Sequence, residues 1–197
     1  MAERRADEGA VDRGVDPLSA AGVGLLSALL FTAGLLVTEA PGELALDVDL
    51  KPFFLPYLLI AAVRYGLPTL SAGLGAAMGE GVLDLVEGYE LDDPIGFIGY
   101  VVGFTLFGWY LHRAAADPTA RRAQVTAAVL GAFGQAVFEG LAFFLFATTI
   151  DPLDVVLSVA GNTVTHGIVL GAVPFVALYP WLAAYVERGE RSVVETD

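Results

Sequence analysis

Polar and ionisable side chains recur at helical spacing within otherwise apolar stretches of this sequence. Three pairs stand four residues apart: Glu80 with Asp84, Gln135 with Glu139, and Asn162 with His166. Residues at i and i+4 share one face of an α-helix, so each pair predicts a polar stripe along a helix. An ionisable group near the middle of a membrane costs at least about 2.5 to 3.5 kcal/mol on insertion scales. The three stripes therefore predict an internal cavity or a paired polar network.

The depths of these side chains also coincide. At about 1.5 Å of rise per residue, Glu80 and Glu139 both fall in the outer half of their predicted helices. Tyr100, Asn162 and His166 fall at overlapping depths on two other helices. We expect the two carboxylates to be functional, the alternative being protonated carboxyls that hydrogen-bond to a neighbouring helix. Asn162 and His166 could equally serve as hydrogen-bonding contacts between helices.

Six apolar stretches have to position these side chains. They cover residues 17–37, 52–64, 68–86, 94–111, 123–150 and 153–186. The chain of 197 residues is 56% hydrophobic with a mean hydropathy of +0.67, and a hydrocarbon core of about 30 Å needs about 20 apolar residues per helix. The second stretch is short, but Arg64 can extend its guanidinium group to the interface. The sequence therefore predicts an all-α polytopic membrane protein, a bundle of six transmembrane helices.

The basic residues are distributed unevenly between the two sides of this predicted bundle. Six crossings leave Lys51 on one side and bring every arginine to the other: Arg4, Arg5, Arg13, Arg64, Arg113, Arg121, Arg122, Arg188 and Arg191. By the positive-inside rule the arginine side is cytoplasmic. We therefore expect a multi-pass protein of the cell membrane with both termini in the cytoplasm. Its predicted parts are a polar tail over residues 1–16, a membrane domain over 17–187 and a second polar tail over 188–197.

Composition narrows the class of function. The chain has no cysteine and only two histidines, of which His112 lies at the cytoplasmic end, so neither thiol chemistry nor a multi-histidine metal centre is expected. A phosphate-binding GxxxxGK[ST] motif is missing, so ATP hydrolysis would need separate subunits. A net charge of -13 without a basic stripe argues against nucleic acid as a partner and is typical of proteins adapted to high salt. No nucleophile is paired with a base, so we expect neither an enzyme nor a cofactor.

Small residues form a row along the first predicted helix. Ala20, Gly24 and Ala28 recur every four residues and would let the backbone of another helix approach closely. The third predicted helix has a similar row in Gly75 and Gly79. The row on the first helix either packs within the bundle or docks a separate membrane subunit, and spacing alone leaves both possibilities open.

Several longer motifs have a pattern known from one family of transporters. An acidic outer loop leads into KPFFLP at 51–56, which is followed by AAVRYG at 61–66 and by the Gly/Ala-rich SAGLGAAMGEG at 71–81. The last helix carries GNT at 161–163, VP at 173–174 and YPW at 179–181. In these motifs, which span most of residues 38–188, the chain resembles the substrate-binding S components of energy-coupling factor (ECF) transporters.

The resemblance implies a membrane protein that captures a vitamin or similar micronutrient from outside and delivers it by toppling within the bilayer. Its partners would be the ECF transmembrane coupling subunit and ATPase subunits. The docking row of that family corresponds to Ala20, Gly24 and Ala28, and its capping loop to residues 38–51. Its substrate-holding residues on the last three helices correspond to Tyr100, Gln135, Glu139, Asn162 and His166.

The carboxylates of the third helix depart from the family pattern. We include Glu80 and Asp84 among the expected substrate-binding residues, although Asp84 lies nearer the outer interface, where a solvated helix end is the commoner role. Buried negative charge is best offset by a positive partner, which favours a cationic or amine-bearing substrate such as a thiamine-like compound or an amine-bearing purine derivative. The alternative is a stand-alone proton- or ion-coupled carrier in which Glu80 and Glu139 titrate during transport.

Overall fold

The computed structural model describes residues 17–38, 50–90, 93–146 and 151–194, and within these ranges the chain is helical without a strand. In chain order the helices are α1 (Pro17–Thr38), α2 (Phe54–Ala62), α3 (Leu67–Glu87), α4 (Asp93–Trp109), α5 (Arg121–Phe146), α6 (Pro152–Val164) and α7 (Val173–Val194). A π-helical segment continues α4 over Tyr110–Ala114, and a second one joins α6 to α7 over Thr165–Ala172. The predicted all-α class is confirmed for this part of the chain.

The predicted N-terminal tail and the predicted capping loop fall largely outside the residues that the structure describes. The tail over residues 1–16 and most of the expected capping loop, residues 39–49, lie outside the described residues. At the other terminus α7 continues to Val194, past the predicted end of the membrane domain at residue 187.

Local chemistry explains where several helices begin and end. Asp151 precedes α6, and its side chain accepts a hydrogen bond of 2.9 Å from the backbone of Leu153, which satisfies one of the free N–H groups of the first turn. Pro152 occupies the first helical position, where no backbone donor is needed. Gly66 and Gly88 flank α3 with φ angles of 122° and 133°, a backbone conformation that side chains disfavour. The helices therefore end where the sequence places these residues.

Four helical segments are long and apolar enough to cross a membrane. They are Ser19–Thr38, Asp93–Ala114, Arg121–Phe146 and Pro152–Val186. The protein is thus a candidate for a multi-pass membrane protein. The other two predicted spans fall short of these criteria: α2 has only 9 residues, and α3 has 21 residues but includes Glu80, Asp84 and Glu87.

Helices α1 and α3 pack closely because small residues meet at their crossing. A side chain at Gly75 of α3 would collide with the backbone of Gly24 on α1. Hydroxyl groups of α1 donate to carbonyls of α3 on both sides of this point, Ser27 to Ala72 at 2.7 Å and Thr32 to Gly79 at 2.9 Å. The hydroxyl oxygen of a serine or threonine is only two bonds from its own backbone. Both hydrogen bonds therefore require the two helices to lie close together.

The small-residue row of α1 takes part in this internal contact. Ala20 is buried, a side chain at Gly24 would lie 3.1 Å from the carbonyl oxygen of Ser71, and the backbone of Ala28 lies against Gly79. The row therefore packs against α3, where Gly75 and Gly79 give it a partner within the same chain, while Gly24 and Ala28 stay partly exposed. Docking of a separate subunit on this row stays a prediction.

Aromatic side chains fill the centre of the bundle around the short helix α2. Phe53 lies with its ring centre 5.0 Å from that of Phe104, and Tyr57 stacks on Phe107 at 4.0 Å with an interplanar angle of 11°. The hydroxyl of Tyr57 donates to the carbonyl of Ala128 on α5 at 2.9 Å, so the one polar atom of this buried ring is satisfied. The buried face of α2 thus contacts both α4 and α5 in the centre of the bundle.

Among the described residues, Arg64, Arg113 and Arg121 lie at one end of the bundle. The ring nitrogen Nε2 of His112 lies 3.0 Å from a backbone carbonyl of α2, and the guanidinium of Arg113 lies 5.4 Å above the centre of the Tyr65 ring. These contacts join the end of α4 to the end of α2, and the short connection that follows brings Arg121 to the same end. We call this the arginine end; the starts of α2, α4 and α6 lie at the opposite end.

Candidate functional site

A buried lysine forms the centre of a charged cluster at the end opposite the arginines. The ammonium nitrogen of Lys51 lies 2.9 Å from Oε1 of Glu80 on α3 and 3.2 Å from Oε1 of Glu139 on α5. The exposed fractions of the three side chains are only 8%, 13% and 17%. In such surroundings an ion pair is screened far less than at a surface, so both contacts contribute to how the helices are held together.

The backbone around Lys51 is fixed by its neighbours in the sequence. Its carbonyl accepts a hydrogen bond of 2.9 Å from the N–H of Phe53, which forms a turn just before α2. Pro52 packs against Gly34 of α1, where an added side chain would lie 2.6 Å from the proline ring. The ring of Phe53 is buried and stacks on His166 at 4.8 Å. The lysine is therefore delivered to the cluster by a rigid segment and not by a loose loop.

Glu139 links the cluster to α6. Its second oxygen, Oε2, accepts a hydrogen bond of 3.1 Å from the amide nitrogen of Asn162, so both carboxylate oxygens have a donor. The ring of Tyr100 on α4 lies below the ammonium group, with 5.4 Å between Nζ of Lys51 and the ring centre. Such a distance is within the range of cation–π attraction. Side chains from α3, α4, α5 and α6 thus converge on one lysine.

Several buried polar atoms around the cluster have no hydrogen-bond partner among the described residues. They are Oε2 of Glu80, both amide atoms of Gln135 and Oδ1 of Asn162. Buried polar groups are nearly always paired in proteins, and exceptions point to a water, an ion or a ligand that belongs at the site. The cluster therefore has unused hydrogen-bonding capacity of both kinds, donors and acceptors.

Gln135 reaches this region because glycines on α4 let α5 approach. An added side chain at Gly99 would lie 3.0 Å from the carbonyl oxygen of Gln135, and one at Gly103 would lie 2.9 Å from its Cβ. Gln135 is fully buried and stands one helical turn before Glu139, on the same face of α5. Its amide group is therefore held near the cluster by tight packing of α4 against α5.

The remaining predicted residues lie at the margin of the cluster. His166 is fully buried in the π-helical segment, and its ring stacks on that of Phe53, two residues after Lys51. Asp84 is half-buried on α3, one turn beyond Glu80. Among the described residues no three His, Asp or Glu side chains converge in a way that could hold a metal ion. The structure thus brings together Glu80, Tyr100, Glu139 and Asn162, and their role in binding stays a prediction.

Lys51 is the site residue that the sequence reasoning missed. It was placed in the outer connection and used only to orient the bundle. One signal could have drawn attention to it, since it is the single lysine in a chain with nine arginines and directly precedes a proline and two phenylalanines. A lone cation next to an apolar segment is a natural partner for carboxylates buried nearby.

The chain was also compared with known proteins. No family, no curated protein and no solved structure matches it. The resemblance to ECF S components therefore stays a prediction from sequence motifs, and any functional assignment depends on the geometry of the site.

Proposed function

We propose that this protein spans the membrane six times and captures a small cationic or amine-bearing solute in the cluster around Lys51, Glu80 and Glu139. In this proposal it acts as the substrate-binding S component of an ECF-type importer. The solute enters from the end opposite the arginines. Energy for its release comes from separate coupling and ATPase subunits.

The surface of α3 supports its assignment as a further span although its hydropathy is lower than that of the other long helices. Its exposed face is apolar over four successive turns, at Leu70, Leu74, Met78 and Val82. Its carboxylate Glu80 points into the bundle, toward Lys51. A helix with an apolar outer face and a polar inner face suits a membrane protein that encloses a polar site, because only the outer face meets lipid.

The distribution of charge supports the orientation. The arginine end carries Arg64, Arg113 and Arg121, and positively charged connections remain in the cytoplasm. The lysine cluster lies at the other end, which the same rule assigns to the outside. A protein that collects a solute before import needs its binding site to be open on that side.

The observation that carries the proposal is the set of unpaired polar atoms around a buried ion cluster. An ion-pair network that served only to hold helices together would be expected to satisfy its own members, since each unpaired buried polar group costs about 1 to 3 kcal/mol. Here Gln135 is fully buried with neither amide atom paired, and Asn162 uses only its donor. A bound solute with both donors and acceptors would satisfy these groups.

A stand-alone carrier is the second candidate, and one observation favours it. Two carboxylates lie within 3.2 Å of the same lysine nitrogen, so one buried site contains two ionisable acids. In this candidate Glu80 and Glu139 would exchange protons or ions during transport, which would couple solute binding to a gradient. The small-residue row of α1 does not favour either candidate, since it packs against α3.

Purification from native membranes in a mild detergent tests the proposal. An S component should retain a small molecule that mass spectrometry of the denatured protein identifies, and it should bring down a membrane subunit and ATPases. A protein that arrives alone and empty, yet accumulates an amine in liposomes in response to a pH gradient, would replace the first proposal by the second.

A further inference from the structure

The ammonium group of Lys51 occupies a position with the features of a binding site for an organic amine. Oε1 of Glu80 and Oε1 of Glu139 flank the nitrogen at 2.9 and 3.2 Å, and the face of the Tyr100 ring lies 5.4 Å away. Carboxylates and aromatic faces are the groups with which proteins bind ammonium ligands. A lysine side chain presents the same charge and the same three donors as the primary amine of a solute.

The groups around this nitrogen have more capacity than the lysine uses. Oε2 of Glu80 and Oδ1 of Asn162 are buried acceptors without a partner among the described residues, and the amide of Gln135, one helical turn from Glu139 on α5, is likewise buried and unpaired. The side chains of Asn162 and Gln135 are 4% and 0% exposed. A solute with an amine and further N–H groups would therefore make contacts here that the lysine side chain cannot make.

The backbone that carries the Lys51 side chain is held by contacts that do not involve its ammonium group. Pro52 is held against α1 and Phe53 against His166, so the backbone at Lys51 stays in place. The ammonium group is joined to this fixed backbone by a flexible four-carbon chain with several rotatable bonds. The proposal requires only that rotation about those bonds carries the ammonium nitrogen away from Glu80 and Glu139, without a shift of the backbone at Lys51.

We propose that Lys51 is a tethered and displaceable occupant of an ammonium site formed by Glu80, Glu139 and Tyr100. The amine of a captured solute binds by taking the position of the lysine nitrogen. The exchange replaces one cation by another, so the two buried carboxylates have a counterion before and after it. The displaced ammonium group of Lys51 has to reach water, since leaving a buried charge unpaired is strongly unfavourable. The inference rests on the proposed function for its natural ligand, but the exchange itself can be measured with a simple amine.

Nuclear magnetic resonance of the full chain in detergent provides the first test, because Lys51 is the only lysine. Incorporation of lysine labelled with 13C at Cε gives one side-chain signal, shifted by the Tyr100 ring. Ethylammonium chloride should move this signal toward the position of free lysine in a saturable way. Sodium chloride at the same ionic strength, and uncharged ethanol of the same size, should leave it in place. A signal that stays unchanged at saturating ethylammonium would identify Lys51 as a permanent counterion and overturn the proposal.

The variant Lys51→Met provides the second test, since it keeps an unbranched side chain and removes the ammonium group. Purified in ethylammonium, it should melt about 3 to 6 °C higher at about ten times the dissociation constant than in sodium chloride. Adding Glu139→Gln to Lys51→Met should abolish this difference. Equal melting in both salts would show that no ammonium site exists. If the variant cannot be purified even in ethylammonium, the signal of Lys51 in the unmodified protein decides.

These outcomes are separate from the failure of the proposed function. A protein without a natural solute would purify empty from its own membranes, whatever ethylammonium does to Lys51. A protein that retains a solute while the lysine signal stays in its bound position would keep the proposed function and lose the exchange.

Discussion

Glu80 and Glu139 form a matched pair of carboxylates that should respond differently to the same substitution. Both oxygens of Glu139 accept hydrogen bonds, one from Lys51 and one from Asn162. Only one oxygen of Glu80 contacts Lys51, and its other oxygen is unpaired among the described residues. Glutamine has a single acceptor and carries an amino group in place of the second oxygen. Glu80→Gln therefore fits the existing contacts, whereas Glu139→Gln keeps both contacts only if the Asn162 amide turns over and presents its Oδ1 to the new amino group.

The magnitudes follow from this difference. Glu139→Gln removes the charge that pairs with Lys51 and disturbs the hydrogen bond with Asn162, and a buried donor left without its acceptor costs about 1 to 3 kcal/mol. We expect its free energy of unfolding to fall by about 2 to 4 kcal/mol. Glu80→Gln leaves one carboxylate for one ammonium group and should stay within about 1 kcal/mol of the unmodified protein, or exceed it. The same variant should nevertheless bind an amine much more weakly, because one of the two carboxylates that flank the ammonium position has lost its charge.

Unfolding of the purified protein by denaturant in detergent, without ligand, measures the first effect, and calorimetric titration with an amine measures the second. Equal losses of stability in the two variants would refute the reasoning, because the hydrogen-bond pattern would then not decide the cost. Retention of full amine affinity in Glu80→Gln would show that this carboxylate has no part in binding.

Three further predictions concern the fold and its orientation. Gly75→Ala should separate α1 from α3 and lower the free energy of unfolding by about 1 to 3 kcal/mol, whereas Gly81→Ala, where an added side chain meets no atom within 4 Å, should be neutral or stabilising; denaturant titration distinguishes them. Tyr57→Phe keeps the stacking and removes the hydrogen bond to α5, so stability should fall by about 1 to 3 kcal/mol in the same assay, and an unchanged midpoint would show that the bond is dispensable. Single cysteines introduced at Asp151 and Asp117 of this cysteine-free chain should react with a membrane-impermeant thiol reagent from outside and from inside respectively, and the reverse pattern would invert the proposed orientation.

The positions of the long helices could be predicted well from the sequence alone. The stretch 17–37 corresponds to α1 (Pro17–Thr38) and the stretch 68–86 to α3 (Leu67–Glu87). Long apolar runs bounded by proline, glycine or charged residues have few alternatives to a helix. The second stretch was the exception, because residues 52–64 contain a helix of only 9 residues, preceded by a turn at Pro52.

The partners of each helix face could not be predicted in the same way. Lys51 and Glu139 are 88 residues apart in the chain, and no local pattern records that they meet. The helical spacing of Glu80, Glu139 and Asn162 indicated which faces were polar, but it could not show that the protein supplies its own cation. Likewise the row at Gly24 indicated a close helix contact without showing that α3 makes it. Contacts between distant segments depend on how the helices are rotated and ordered, which short-range spacing does not determine.

The π-helical segment over Thr165–Ala172 affects how α7 can rotate relative to α6. In a π-helix each N–H bonds five residues back instead of four, so the segment accommodates an additional residue compared with an α-helix of the same height. If it were to tighten into α geometry, one residue would have to leave the turn, and the helix beyond would rotate by about 100° relative to the helix before it. Asn162 precedes this segment on α6, and Phe175 follows it on α7. A small local change in the backbone beside His166 would thus produce a large rotation of α7 about its axis.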